Sequence, residues 1–64
     1  MRLTEFWARM GDQFGPAYAE SIAADQVLRE LGGRTVREAL ADGEDTKSVW
    51  RAVCLAFDVP GQQR

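Results

Sequence analysis

The chain has 64 residues, 45% of them hydrophobic and 28% charged, with a net charge of −2, one cysteine and no histidine. That length admits one small domain, and the composition is too apolar and too patterned for a disordered segment. A lone cysteine excludes an internal disulfide, and without histidine the usual zinc ligands are missing, so neither a metal nor a cofactor is expected.

The first periodic stretch is Leu3, Phe6, Trp7, Met10 and Phe14, which share one face of a helix. Thr4 or a neighbour is expected to cap it, with Glu5 near the positive end of the helix. Gly11 weakens the middle by about 1 kcal/mol relative to alanine, and Gly15-Pro16 stops it. Pro16 suits the first turn of a second helix. Ala17, Tyr18 and Ile22 form one stripe there; Ala24, Val27, Leu28 and Leu31 form another, slightly out of phase. The reading preferred is one helix from Pro16 to about Leu31, with a possible kink; a break between Ser21 and Asp25 is the alternative. Gly32-Gly33 ends it, the first glycine serving as a left-handed cap.

Thr35-Val36-Arg37-Glu38 has the spacing of a capping box. A short helix follows with Val36, Ala39 and Leu40 inward, closed by Gly43. Asp45 is placed to cap the last helix, whose apolar face carries Val49, Trp50, Val53, Cys54 and Phe57. Val59-Pro60 marks its end. The expected architecture is all-α: a small single-domain bundle of three to four helices over residues 1–59, the last helix central, with a helix-turn-helix-like C-terminal pair. Residues 60–64 read as a flexible tail.

The residues bear on three functional classes. An enzyme is not expected. General acid–base work would fall to carboxylates whose spacing shows only helix faces and caps, and Cys54 has no histidine to activate it. No phosphate-binding loop is present, because Gly32-Gly33 lacks the lysine-hydroxyl pair that should follow. A DNA-binding reading rests on the outline of residues 35–53: a short helix, a turn at Gly43 and a longer helix. Lys47, Ser48 and Arg51 would face the groove of the DNA, with Arg34 and Arg37 on phosphates. Against it, Asp42 and Glu44 occupy positions that this motif usually makes apolar. Glu44 and Asp45 also put negative charge where phosphate should approach. Interspersed charge with no basic block adds to the difficulty.

The third class is protein interaction or self-association. The large apolar side chains outnumber what so small a core encloses. Phe6 and Trp7 diverge by about 100° on their helix, Trp50 lies at the border of its stripe, and Leu55 points away from it. Phe6, Trp7, Trp50 and Leu55 are therefore the candidate protein interface. The bland reading, both tryptophans packed edge to face in the core, carries equal weight. No nucleotide or other small-molecule substrate is indicated. No apolar run reaches membrane-spanning length and no signal peptide pattern opens the chain, so a cytoplasmic protein is expected.

Four stretches carry a family resemblance: Met1-Arg2-Leu3-Thr4-Glu5-Phe6-Trp7, Phe14-Gly15-Pro16-Ala17-Tyr18-Ala19, the run from Val27 to Val36, and Val49-Trp50-Arg51-Ala52-Val53-Cys54. Together they resemble the short actinobacterial proteins grouped as domain of unknown function 3046. The resemblance implies a cytoplasmic protein with no established activity. It implies genes lying near those of recombination proteins, an association with DNA metabolism. It supplies no catalytic or binding residue. It makes Cys54 a family feature, for which packing is a better reading than redox sensing, since only Arg51 lies nearby in sequence as a cation.

Overall fold

Helix α1 spans Leu3–Phe14, α2 Pro16–Asp25, α3 Val36–Ala41 and α4 Thr46–Phe57, with a 3-10 turn at Arg29–Leu31. The computed structural model describes residues 1–59; the tail expected over residues 60–64 and the stop signal at Pro60 lie outside them. No strand occurs among the described residues, only an isolated antiparallel bridge between Leu28 and Arg34. The all-α bundle is thus the observed fold.

Helix α1 begins without the expected cap. Arg2 occupies the cap position, and no side chain accepts a hydrogen bond there. At its other end a single residue does two jobs. Gly15 closes α1, its amide donating to the Gly11 carbonyl at 2.8 Å, and its own carbonyl accepts from Ala19 at 2.8 Å to open α2. Its φ of 87° and ψ of 144° lie where residues with a β-carbon are strained. Pro16, with its fixed φ and no amide to waste, starts α2 immediately. The two helices therefore pack against each other with no linker between them.

The preferred continuous helix from Pro16 to Leu31 does not form. Helix α2 ends at Asp25, and Gln26 and Leu28 are extended. The reason is phase. Ile22 and Ala23 are buried, so an unbroken helix would turn Gln26, Arg29 and Glu30 toward the core. The break resets the register and buries Leu28 and Leu31 instead. Burying two leucines contributes about 3–6 kcal/mol, against net losses of about 1 kcal/mol for each helical hydrogen bond forgone. Even those are partly recovered. The Leu28 amide donates to the Arg34 carbonyl, and the Leu28 carbonyl accepts from Leu31 and Gly33, all at 3.0 Å.

The capping box forms as expected. The Glu38 amide donates to Thr35 Oγ1 at 3.1 Å, and the Thr35 amide donates to Glu38 Oε1 at 2.8 Å. Asp45 caps α4 by accepting from the Ser48 amide at 3.3 Å. Two helices end in the same way. The Glu44 amide donates to the Ala39 carbonyl and the Val59 amide to the Cys54 carbonyl, each at 3.0 Å and each five residues back. The left-handed residue is Gly43 in the first case and Asp58, with φ 54°, in the second. Asp58 therefore stops α4, ahead of the expected Val59-Pro60.

Helix α4 contributes five buried residues, Val49, Trp50, Ala52, Val53 and Cys54, more than any other helix. It packs on α1, α3 and the 3-10 turn, which gives it the central position expected. Phe6 and Met10 from α1, Ile22 from α2 and Val36 from α3 meet it in one apolar cluster. Leu3, Tyr18 and Val27, expected to face inward, are more than half exposed. Leu3 is the first helical residue and has no preceding turn to cover it, and Val27 lies in the extended segment that the phase break created.

Candidate functional site

Phe6 is fully buried between the two tryptophans. It meets Trp7 edge to face at 5.4 Å and Trp50 at 6.1 Å between ring centroids. Trp50 itself is 4% exposed. Two of the four candidate interface residues are therefore core, because Phe6 from α1 covers the very edge of α4 that the helical wheel left at the border. The bland edge-to-face reading holds for Trp50. Trp7 is half-buried, and the Arg37 guanidinium lies 5.5 Å from its ring centre. Leu55 is 59% exposed, as expected for a residue off the apolar stripe.

The candidate nucleic-acid residues divide into two groups. Arg34 is a structural hub. Its Nε donates to the Leu31 carbonyl at 2.8 Å, Nη1 to Asp42 at 3.0 Å and Nη2 to Glu44 at 2.6 Å. These bonds, Glu44 first and Asp42 second, hold its pKa above its ordinary value. Arg37 pairs with Glu20 at 3.6 Å while resting on Trp7, so it links α1, α2 and α3. Both guanidinium groups thus have partners within the chain. Lys47, Ser48 and Arg51 are exposed on α4, and within 100° of arc they share their side of the helix with Leu55.

That side of α4 borders a groove shared with α1, with a volume of about 620 Å³. Lys47, Arg51 and Leu55 form the wall on α4. Met1, Glu5 and Arg9 form the wall along α1, and Trp50 and Cys54 lie at the base. The Thr46 Oγ1 hydroxyl donates to the Met1 carbonyl, tying the start of α4 to the chain just before α1. Helical spacing aligns Glu5 with Arg9 and Lys47 with Arg51 and Leu55, since residues four apart stack on one face. The buried Trp50 Nε1–H has no hydrogen-bond acceptor among the described residues, an arrangement that ordinarily costs about 1–3 kcal/mol. Met1 is 37% exposed, so both walls present apolar as well as charged surface. The structure thus gathers Trp50, Leu55, Lys47 and Arg51, drawn from both candidate sets. It adds Cys54 from the apolar face of α4, and Met1, Glu5 and Arg9, which no sequence signal connected to them.

A second, more open depression lies between α1 and α2, lined by Trp7, Ala8, Gly11 and Ala19 with Glu20 and Arg37 at its edge. Its polar contacts are the internal Arg37 pairings already described. Among the described residues no cluster of histidine, cysteine or carboxylates is placed to hold a metal ion, and no helix is long and apolar enough to cross a membrane.

The fold and groove define a small all-α domain with a two-helix cleft whose base is an indole. The chain belongs to the family described as "Protein of unknown function (DUF3046)", which it matches over residues 1–62. No curated protein and no solved structure matches it.

Proposed function

We propose that this protein is a non-enzymatic cytoplasmic interaction module that binds protein through the α1/α4 groove. The observation that carries the reading is the composition of that groove: exposed Leu55 and Met1 beside the buried Trp50, rimmed by charge. Apolar anchors within a polar rim are what protein interfaces use. The groove's ionisable groups are one carboxylate, one lysine, two arginines and a buried thiol. That set holds no histidine and no pair of carboxylates, which supports the non-enzymatic reading.

DNA contact through α3 and α4 is the weaker alternative. A recognition helix leads with its N-terminal residues, and here Asp45 caps that end with Glu44 beside it. Arg34 is already spent on Asp42 and Glu44. Affinity capture from a lysate of the source organism, with and without nuclease, tests the choice when wild type is compared with Leu55→Asp. A stoichiometric protein that survives nuclease and is lost with Leu55→Asp is the expected result. Recovery of nucleic acid, unaffected by Leu55→Asp, would overturn it.

A further inference from the structure

Charge in this chain is unevenly placed. The α1/α4 groove holds three of the eight basic residues, Arg9, Lys47 and Arg51, and one of the ten acidic ones, Glu5. It therefore carries +2 in a chain of net −2, and everything outside it carries −4. We propose that the groove takes an acidic amphipathic helix from a different protein, with an aliphatic face on Leu55 and the Trp50 edge and carboxylates on Arg9, Lys47 and Arg51. The inference rests on the interaction reading above and names the partner's chemistry.

Three observations select this occupant. Both walls step at four residues, Glu5-Arg9 on α1 and Lys47-Arg51-Leu55 on α4, about 6 Å apart along each helix. A docked helix presents the same spacing, so its anchors match the walls turn for turn. A second copy docked groove to groove is disfavoured, because a two-fold contact sets like charges against each other. Nucleic acid is disfavoured by Met1 and Leu55, which find no apolar counterpart on a phosphate backbone.

The test is selection from a displayed library of helix-patterned peptides of roughly 16 residues, about 24 Å long as helices, close to the 26 Å long axis of the domain. The full chain is the bait, and a duplex oligonucleotide is titrated separately. Enriched peptides should carry Asp or Glu flanking aliphatic residues one turn apart. Titrating one of them should shift the Trp50 indole N–H resonance and leave that of Trp7 in place. Lys47→Glu with Arg51→Glu, checked for unchanged helicity by circular dichroism, should weaken binding by about tenfold or more, and rising salt should weaken it in wild type. Basic or neutral winners would overturn the acidic-helix inference and leave the interaction reading standing. So would the absence of any enriched peptide, if a nuclease-resistant partner sensitive to Leu55→Asp is captured. Oligonucleotide binding that displaces the peptides would overturn both.

Discussion

Gly11 and Gly15 lie one helical turn apart, and the same substitution at the two positions has opposite sign. Gly11 is inside α1 with ordinary helical geometry, and a β-carbon there meets nothing within 4 Å. Gly11→Ala therefore gains helix propensity alone, about 0.8–1.0 kcal/mol. A β-carbon at Gly15 also meets nothing within 4 Å, so no clash contributes and the cost is wholly backbone. At φ 87° and ψ 144° that cost is about 1–3 kcal/mol. Restricting the unfolded chain returns about 0.4–1 kcal/mol, which leaves Gly15→Ala destabilising by about 1–2 kcal/mol. A chain of this length holds only about 3–10 kcal/mol in total. The two variants should differ by about 2–3 kcal/mol, or roughly 10–20 °C in melting temperature. Urea titration followed by far-UV circular dichroism measures both, with the slope against urea unchanged. If both substitutions shifted stability in the same direction, the backbone account of the α1/α2 junction would be refuted.

Asp58→Gly should raise stability by about 0.5–1 kcal/mol, because it removes a β-carbon from a left-handed position. Asp58→Ala should not, and equal effects from the two in thermal melts would point to the Asp58 side chain instead. Phe6→Ala should cost about 3–5 kcal/mol by emptying the space between the tryptophans. Leu55→Ala should stay within about 0.5 kcal/mol, and a large loss in the same melt would contradict its exposed placement. Thr35→Ala should cost about 1 kcal/mol. A double-mutant cycle with Glu38→Ala should show positive coupling, and strict additivity would deny the reciprocal cap.

Local signals on single segments were legible in the sequence wherever one residue decides the outcome. Thr35 with Glu38, Asp45 before α4, and Gly15-Pro16 all act through nearest neighbours, and each sits in the structure where its chemistry put it. The α2 break was visible only as two stripes out of phase. Choosing it over a kink required knowing that Ile22 and Ala23 face the core, which sends Arg29 and Glu30 inward in a continuous helix. Leu3 and Tyr18 follow helical spacing yet stay exposed, since periodicity assigns a face without saying whether another element covers it. Trp50 shows the converse. Its border position on the wheel says nothing of Phe6, 44 positions earlier in the chain, which seals it. The groove was illegible for the same reason. Glu5 and Arg9 belong to one local pattern, Lys47 and Arg51 to another, and only tertiary packing sets them side by side.

The groove is built by the first and last helices of the chain, joined where Thr46 reaches the Met1 carbonyl. Neither half of the molecule contains it. The α1/α2 pair and the α3/α4 pair form through local contacts, whereas α1 meets α4 only when a long loop closes, at an entropic cost that grows with the logarithm of loop length. Any binding at this cleft would thereby be linked to folding of the whole domain. A ligand that holds α1 against α4 opposes every unfolding route that separates them. Saturation at one hundred times the dissociation constant adds about 2.7 kcal/mol, a large share of what so small a chain possesses. A ligand of the groove would therefore raise the melting temperature, and truncation from either side would remove that shift along with the site.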